Sequence, residues 1–308
     1  MLIYPDDMPE LPEVETIARG LDKRVAGDTV ESVWIGSRQQ PLKSPAGDIV
    51  STLEGKRIVR VHRAGKHIVF DLEGESRAPQ TATKTATKKS KRKSRVRGLT
   101  RQTTSSPQSA QWIVHLGMTG RMVVCEPATE IAKHTHLIAK LASGCELRFI
   151  DPRMFGKLSV HLQPGGFDPG GVEPLEVSEE QFGALFRGRK TPIKSALLNQ
   201  KLLRGVGNIY ADESLFRAGI RPRRRAAAIT RQQLGKLHQA VREVLQEAIA
   251  LGGSSISDYV DADGEEGFFQ LQHRVYGREG EPCLVCETAI RRVVLAGRSS
   301  HYCANCQK

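Results

Sequence analysis

Four cysteines near the carboxyl end of this 308-residue chain constrain its fold more than any other feature. They form two Cys-x2-Cys pairs separated by sixteen residues: Cys283, Cys286, Cys303 and Cys306. Each pair can form a knuckle turn, and four thiolates at this spacing can complete the tetrahedral coordination of one structural zinc ion. The apolar runs between them, 290–294 and 299–302, predict a two-stranded β-hairpin. We therefore expect a zinc finger at 274–308.

The net charge of +12 favours an acidic partner such as nucleic acid, but most of it lies in one segment. Residues 75–110 hold ten Lys or Arg and one acid, a balance of +9, which leaves +3 for the rest of the chain. This segment has almost no apolar content and is predicted to be a disordered insertion. It is either a loose tether to DNA phosphates or a solvated hairpin tip without a role.

Two further domains are expected from the length and from a change in hydrophobic period. A helical stripe (Val14, Ile17, Leu21, Val25) comes first, and eight short strands then predict an α+β domain built on a β-sandwich or barrel at 8–162. The strands are predicted at 29–35, 58–64, 67–72, 111–116, 122–125, 136–141, 146–150 and 157–161. A Gly- and Pro-rich stretch makes 163–177 a linker.

Beyond the linker the pattern becomes helical, which gives a second domain at 178–273. Four helices are predicted to begin at Ser178, Pro192, Asn208 and Thr230, with Asn208 as a cap. No run of about 18 apolar residues occurs, so no membrane span is expected. The first residues lack the layout of a signal peptide, which makes the cytoplasm the default location.

The chemistry that the stretch from Met8 to Glu13 (Met-Pro-Glu-Leu-Pro-Glu) can perform depends on whether the N-terminus is processed. Its prolines and glutamates suit the first turn of a helix. If Met8 is instead the initiator and is removed, Pro9 becomes a free secondary amine beside Glu10. Such an amine can attack an aldehyde-level carbon and form an iminium ion. We therefore expect residues 1–7 to be a mis-assigned or removed extension.

Three other motifs are each ambiguous when taken alone. The turn Asp151-Pro-Arg153-Met-Phe155-Gly is either a core aromatic under a turn or an apolar wedge for a base step. The glycine-bearing turn before Asn208 can cap a helix or bind a phosphate. Arg298, beside Gly297, is a solvated loop charge or a group presented to a ligand, and its spacing favours the former.

Taken together, these motifs resemble those of bacterial formamidopyrimidine-DNA glycosylases, also called 8-oxoguanine DNA glycosylases. The resemblance covers residues 8–308 except the basic insertion. It rests on Pro-Glu-Leu-Pro-Glu13, Ala-Gly-Lys66, His-Leu-Gly-Met118, Lys-His134, Asp-Pro-Arg153-x-Phe155-Gly, Gly-Val-Gly-Asn208-Ile-Tyr and the four-cysteine finger. It implies an N-terminal β-sandwich with an N-terminal helix, a helix-two-turns-helix domain, a β-hairpin zinc finger, and DNA in the cleft between domains.

The resemblance also implies roles for individual residues in excising oxidised purines and then cleaving the abasic site. Pro9 matches the Schiff-base nucleophile, Glu10 the acid at the sugar ring oxygen, and Lys66 the proton donor in β-elimination. Arg298 matches the arginine of δ-elimination. Six residues match DNA contacts, the first three by filling the place of the flipped nucleotide: Met118, Arg153, Phe155, His134, Arg189 and Asn208. The implied cofactor is one structural Zn²⁺.

The implied partner is double-stranded DNA containing oxidised purines, and a monomer suffices for one asymmetric lesion. Cytoplasmic, nucleoid-associated localisation follows from that partner. Two alternatives remain. One is a sister enzyme of the endonuclease VIII type, which excises oxidised pyrimidines, although Leu11 stands where that group usually has glycine. The other is a non-catalytic DNA-binding protein in which Pro9 stays masked.

Overall fold

Residues 8–74, 110–162, 165–255 and 267–308 are described by a computed structural model of the chain. The predicted extension at 1–7 and nearly all of the predicted insertion at 75–110 lie outside these residues, except that Ala110 begins a strand. The predicted domain limits stay predictions.

The N-terminal half is a β-sandwich. Its elements are α1 (Leu11–Val25), β1 (Val30–Ile35), α2 (Ala46–Leu53), β2 (Arg57–Ala64), β3 (His67–Glu73), β4 (Ala110–His115), β5 (Arg121–Cys125), β6 (Thr135–Leu141), β7 (Glu146–Ile150) and β8 (Lys157–His161). The eight predicted strands are confirmed to within one residue at each end. They form two antiparallel four-stranded sheets, in the orders β1-β6-β7-β5 and β2-β3-β4-β8, rather than a closed barrel. The helix α2 was not predicted.

The helix α1 covers the sandwich core with the predicted stripe, since Val14, Ile17, Leu21 and Val25 are all buried in one apolar cluster. Its first turn is held by a reciprocal arrangement in which the Glu10 backbone N–H donates to Glu13 Oε2 at 2.8 Å. Pro12 in the first turn does not destabilise the helix, because the N–H that proline lacks would have no partner within the helix at this position. The stretch around Pro9 therefore does serve as a helix start.

The C-terminal half contains the helices α3 (Glu179–Phe186), α4 (Ile193–Leu197), α5 (Asn208–Arg217) and α6 (Arg231–Ala250), and short 3-10 turns at Ala226–Ala228 and Phe269–Gln272. Ser178 and Thr230 cap α3 and α6 as predicted. The prediction that Asn208 caps a helix is wrong. Gly207 is the N-cap of α5, and the Asn208 amide instead donates to Ser299 Oγ at 3.1 Å.

The chain ends in the predicted hairpin, formed by β9 (Ile290–Leu295) and β10 (Arg298–Cys303). The hairpin is joined to α4 and α5 through a buried ion pair between Lys194 Nζ and Asp212 Oδ1, 2.7 Å apart. Lys194 also donates to the carbonyl of Ser299, and Asp212 accepts the His301 N–H at 2.8 Å. The finger is thus anchored to the helical half by charged groups that are shielded from water.

The two halves are joined by Arg63 at the end of β2. Its guanidinium lies 2.8 Å from a carboxylate oxygen of Glu15 on α1 and 2.8 Å from one of Glu173, which follows the predicted linker's Gly- and Pro-rich part. All three side chains are largely shielded from water, so these ion pairs are worth more than exposed ones. Within the described residues, no helix is long and apolar enough to cross a membrane.

Candidate active site and nucleic-acid interface

A cavity of about 250 Å³ opens where the sandwich, the helical half and the finger meet. Its wall includes residues from distant parts of the sequence: Met8, Glu10, Lys66, His115, Asn208 and Arg298. Three of the four predicted catalytic residues therefore line one cavity. The fourth, Pro9, lies between two lining residues and is half-buried. As the chain is written, its nitrogen forms a peptide bond with Met8.

Glu10 is the acidic side chain in the wall of this cavity, and its pKa is shifted. It is 2% exposed, and burial raises its pKa from 4.5 to about 7, against the opposing charge of Lys66. Glu10 Oε1 accepts the Ile209 N–H at 3.1 Å, whereas Oε2 is buried without a hydrogen-bond partner among the described residues. Near neutral pH this carboxyl can therefore hold or release a proton, as a general acid requires.

Gly207 makes room for Glu10. A β-carbon at this position would lie 2.1 Å from the carboxyl carbon of Glu10, so only glycine fits beside the acid. The turn that precedes α5 thus contributes both the space for the Glu10 side chain and the Ile209 N–H that binds it. The sequence left open whether this turn caps a helix or binds a phosphate, and it gave no sign of the contact between Ile209 and Glu10, 199 residues apart.

Glu13 supports Glu10 from behind. It is buried, and burial raises the pKa of its carboxyl. Its Oε1 accepts the Ser254 N–H at 2.8 Å and the hydroxyl of Tyr210, while its Oε2 binds the Glu10 backbone. The first turn of α1 is thereby fixed to the helical half.

Lys66 lies in the turn between β2 and β3, where Gly65 takes a positive φ of 61°. Burial lowers the pKa of Lys66, while Glu10 and Glu13 raise it and Arg298 lowers it. A lysine in this setting gives up its proton more readily than an exposed one and can act in proton transfer.

Two histidines beside Lys66 were missed by the sequence reasoning. His67 and His115 line the same cavity, with ring centroids 5.0 Å apart. Burial is the main cause that lowers the pKa of His115 to about 4, and the nearby His67 lowers it further. The imidazole of His115 is therefore neutral at pH 7. His67 directly follows Lys66, and His115 begins the His-Leu-Gly-Met118 motif, so their places in these motifs are the signal that could have found them.

Three predicted DNA contacts form one ridge on the sandwich. The Arg153 guanidinium carbon lies 5.0 Å from the centroid of the Phe155 ring, which is 52% exposed. Met118 is half-buried in the adjacent turn. The two turns touch closely, because a β-carbon on Gly117 would lie 2.5 Å from the Gly156 nitrogen. An exposed aromatic beside an arginine is suited to entering a base step.

The other predicted contacts lie apart from this ridge. His134 is half-buried just before β6, and its carbonyl accepts the Asp151 N–H at 3.0 Å. Asn208 is buried in the cavity wall. Arg189 is exposed and donates to the Leu185 carbonyl at 2.5 Å, so it does not line the cavity.

The four cysteine sulfurs converge at the base of the finger. All four lie within 4.8 Å of one another, as the corners of a four-thiolate zinc site must. The residues present therefore fit one Zn²⁺ held by Cys283, Cys286, Cys303 and Cys306.

Family sequence models match three consecutive parts of the chain. They are described as formamidopyrimidine-DNA glycosylase N-terminal domain (residues 8–158), formamidopyrimidine-DNA glycosylase H2TH domain (171–260) and zinc finger found in FPG and IleRS (280–308). A formamidopyrimidine-DNA glycosylase of Solibacter usitatus is 43% identical over 98% of this chain and 100% of its own length. The chain belongs to the formamidopyrimidine-DNA glycosylase family. One from Desulfitobacterium hafniense is 39% identical, over 97% and 100%.

Solved structures of formamidopyrimidine-DNA glycosylases superpose on the whole chain. The MutM (Fpg) protein of Thermus thermophilus is 36% identical, with a TM-score of 0.77 over 97% of this chain and 98% of that one. MutM in complex with DNA containing carbocyclic 8-oxo-G is 30% identical, with a TM-score of 0.80 over 97% of this chain and 100% of that one. Lactococcus lactis Fpg in complex with DNA containing an abasic site is 29% identical, with a TM-score of 0.77 over 97% of this chain and 99% of that one.

Proposed function

We propose that this protein is a bifunctional base-excision repair enzyme that removes oxidised purines, 8-oxoguanine and formamidopyrimidines, from double-stranded DNA and then cleaves the abasic site. The observation that carries the proposal is the cavity in which the buried acid Glu10 meets Lys66 and Arg298, immediately beside Pro9. Support comes from the relatives of the family that bind DNA containing 8-oxo-G or an abasic site.

The first step assigns Pro9 as the nucleophile. Once Met1–Met8 are removed, its secondary amine attacks C1′ of the damaged nucleotide and displaces the base, which takes up the proton that the amine loses. The N-terminal family model begins to match at Met8, which supports a start at that residue. Glu10, with a pKa of about 7, then protonates the sugar ring oxygen as its bond to C1′ breaks, and the nitrogen lone pair forms the iminium ion.

Strand cleavage follows from the iminium, which acidifies the C2′ proton. We assign Lys66 to proton transfer in β-elimination and Arg298 to δ-elimination, because both reach the same cavity as Glu10. The bound zinc would hold the finger folded, and the hairpin would then present Arg298 from the first residue of β10.

Access to the damaged nucleotide requires that it leave the base stack, at a cost of a few kcal/mol. Met118, Arg153 and Phe155 are assigned to fill the vacated space and offset part of this cost. His134, Asn208 and Arg189 are assigned to the DNA backbone. The enzyme would act as a monomer on the nucleoid in the cytoplasm.

The proposal is tested by borohydride trapping on a duplex with 8-oxoguanine opposite cytosine. One protein sample is expressed from Met8, and the matched control retains Met1 and cannot be processed. We expect a covalent adduct only with the Met8 form, mapped to Pro9 by mass spectrometry. No adduct from either form would refute the enzyme and leave a non-catalytic DNA-binding protein. An adduct on a lysine would refute the assignment of Pro9.

A duplex with an oxidised pyrimidine tests the alternative substrate class. The question is open in this family, because a Lactococcus lactis Fpg has been solved in complex with DNA containing an oxidised pyrimidine. Faster excision of the pyrimidine than of 8-oxoguanine by this protein would favour the endonuclease VIII-type alternative.

A further inference from the structure

Asp151 is a fully buried acid directly after β7, and nothing in the proposed chemistry uses it. Its carboxylate accepts three hydrogen bonds. Oδ1 accepts the hydroxyl of Thr119 at 2.6 Å and the Arg153 N–H at 3.3 Å, and Oδ2 accepts the Gly156 N–H at 2.7 Å. A buried carboxylate is costly unless such donors compensate it, so its presence indicates a structural demand at this place.

These donors belong to the two turns that form the ridge. Thr119 follows Met118, whereas Arg153 and Gly156 bracket Phe155. The Arg153 N–H also lies 3.2 Å from Thr119 Oγ1, which closes a ring of hydrogen bonds between the turns. One carboxylate thus holds the backbone on both sides of the exposed aromatic and the residue next to the methionine.

The Asp151 backbone reaches a further DNA-contact segment. Its N–H donates to the His134 carbonyl at 3.0 Å, and its carbonyl lies 2.9 Å from His136 Nε2. Asp151 therefore connects the ridge to His134 and to the start of β6.

The turn that Asp151 holds is strained and tightly packed. Met154, between Arg153 and Phe155, has a φ of 57°, a left-handed conformation that a residue with a side chain rarely adopts. A β-carbon on Gly156 would lie 2.6 Å from the Phe149 ring and 3.0 Å from Asp151 Oδ2. Strained backbone persists only where neighbouring groups fix it, and here the Asp151 carboxylate does so.

We propose that Asp151, acting through Thr119, is a positioning residue that holds Met118, Arg153 and Phe155 in one rigid wedge. Because it is fully buried, it is placed to act through its neighbours and not by contact with DNA or the reacting atoms. The inference rests on the proposed function, because a wedge matters only to an enzyme that empties a position in the base stack. A wedge held as one unit loses little entropy when it enters the duplex, whereas two independent turns must be ordered during entry.

The inference predicts that excision and abasic-site cleavage separate. Excision of a paired lesion requires that its base be unstacked, and the wedge offsets that cost. A preformed abasic site has no base to unstack, so its cleavage depends less on the wedge.

The test is Thr119→Val, which keeps the side-chain shape and removes only the hydroxyl. The matched control is Thr16→Val, because the Thr16 hydroxyl donates to the Pro12 carbonyl at 3.0 Å, away from the ridge. For Thr119→Val we expect kcat/KM on 8-oxoguanine opposite cytosine to fall about ten-fold, the value of one hydrogen bond to a charged group. Cleavage of a preformed abasic site should stay within about two-fold of wild type, as should both activities of Thr16→Val.

A second readout needs no catalysis. In a duplex carrying a tetrahydrofuran abasic analogue beside 2-aminopurine, wedge entry should raise the fluorescence of the neighbouring base. Wild type and Thr16→Val should give the full rise, and Thr119→Val a smaller one. Asp151→Asn, which keeps one acceptor oxygen, should give the same separation of activities.

Two results would overturn the inference: wild-type behaviour of Thr119→Val in both assays, or an equal fall on both substrates, which destabilisation alone would produce. A wild-type protein that raises the fluorescence but cleaves neither substrate would instead refute the proposed function, and the fluorescence comparison would still test the wedge.

Discussion

Replacement of Lys194 by methionine should destabilise the C-terminal half, because it leaves a charge buried without its partner. Lys194 is 1% exposed, and the Asp212 carboxylate that it contacts at 2.7 Å is fully buried. The same ammonium binds the Ser299 carbonyl, next to Arg298. Methionine has a similar shape but supplies neither the charge nor the hydrogen bonds.

Breaking a buried pair by removing one partner costs about 3–5 kcal/mol. The lower end applies here, because Asp212 keeps the hydrogen bond from the His301 N–H at 2.8 Å, and His301 Nδ1 lies 3.4 Å from its Oδ2. A loss of about 3 kcal/mol in the free energy of unfolding of the C-terminal half lowers its melting temperature by about 10 °C. The double variant Lys194→Met, Asp212→Asn removes the charge and keeps an acceptor, so it should recover at least half of the loss.

The measurement is the melting temperature of the zinc-loaded full chain by calorimetry, which can resolve separate transitions of a multidomain protein. Lys201→Met, at an exposed lysine, is the matched control and should melt like wild type. A single variant that melts within about 2 °C of wild type, or a double variant less stable than the single, would refute the reasoning.

Three further predictions concern the cavity and the finger. Gly207→Ala should displace the Glu10 carboxyl, since the added carbon would lie 2.1 Å from it, and should abolish excision while DNA binding persists; normal turnover would contradict this. Because folding raises the Glu10 pKa from 4.5 to about 7, its effect on stability is most favourable below pH 4.5 and is lost as the pH rises through 7. Wild type should therefore lose about 3 kcal/mol relative to Glu10→Gln between these values, measured by urea unfolding, whereas parallel pH profiles would count against the shift. Removal of zinc by a chelator, or Cys303→Ser, should unfold the finger and suppress δ-elimination more than adduct formation at Pro9, as read from the ratio of cleavage products; an unchanged ratio would exclude a finger-borne Arg298 role.

Most of the fold could be predicted from local patterns. The alternation of apolar residues and the turn signals located all eight strands, because burial on one face of a sheet has a fixed period. The helix α2 (Ala46–Leu53) was missed, since it is only eight residues long, contains Gly47 and follows Pro45, features that favour a turn. Asn208 was assigned as a cap from its residue type, but Gly207 occupies that place and tertiary contacts use the amide elsewhere.

The site was predictable only as a set of separate motifs. The resemblance selected Glu10, Lys66 and Arg298, and the structure brings all three to one cavity. Their surroundings depend on contacts between distant residues, such as Glu10 with Ile209, which no local pattern encodes. Asp151 was passed over for the same reason, because an aspartate before proline is an ordinary turn residue until its three donors are known.

The hydrogen bonds of Glu13 also indicate the order in which parts of the molecule fold. Glu13 near the start of the chain binds Tyr210 and the Ser254 N–H, so contacts of 197 and 241 residues in separation must close before the first turn of α1 is fixed. Contacts of such range form late, since the chain between them must first be ordered. Arg298 arrives later still along the sequence. A nascent or truncated chain without its finger would therefore lack Arg298 and the part of the cavity wall that the finger contributes.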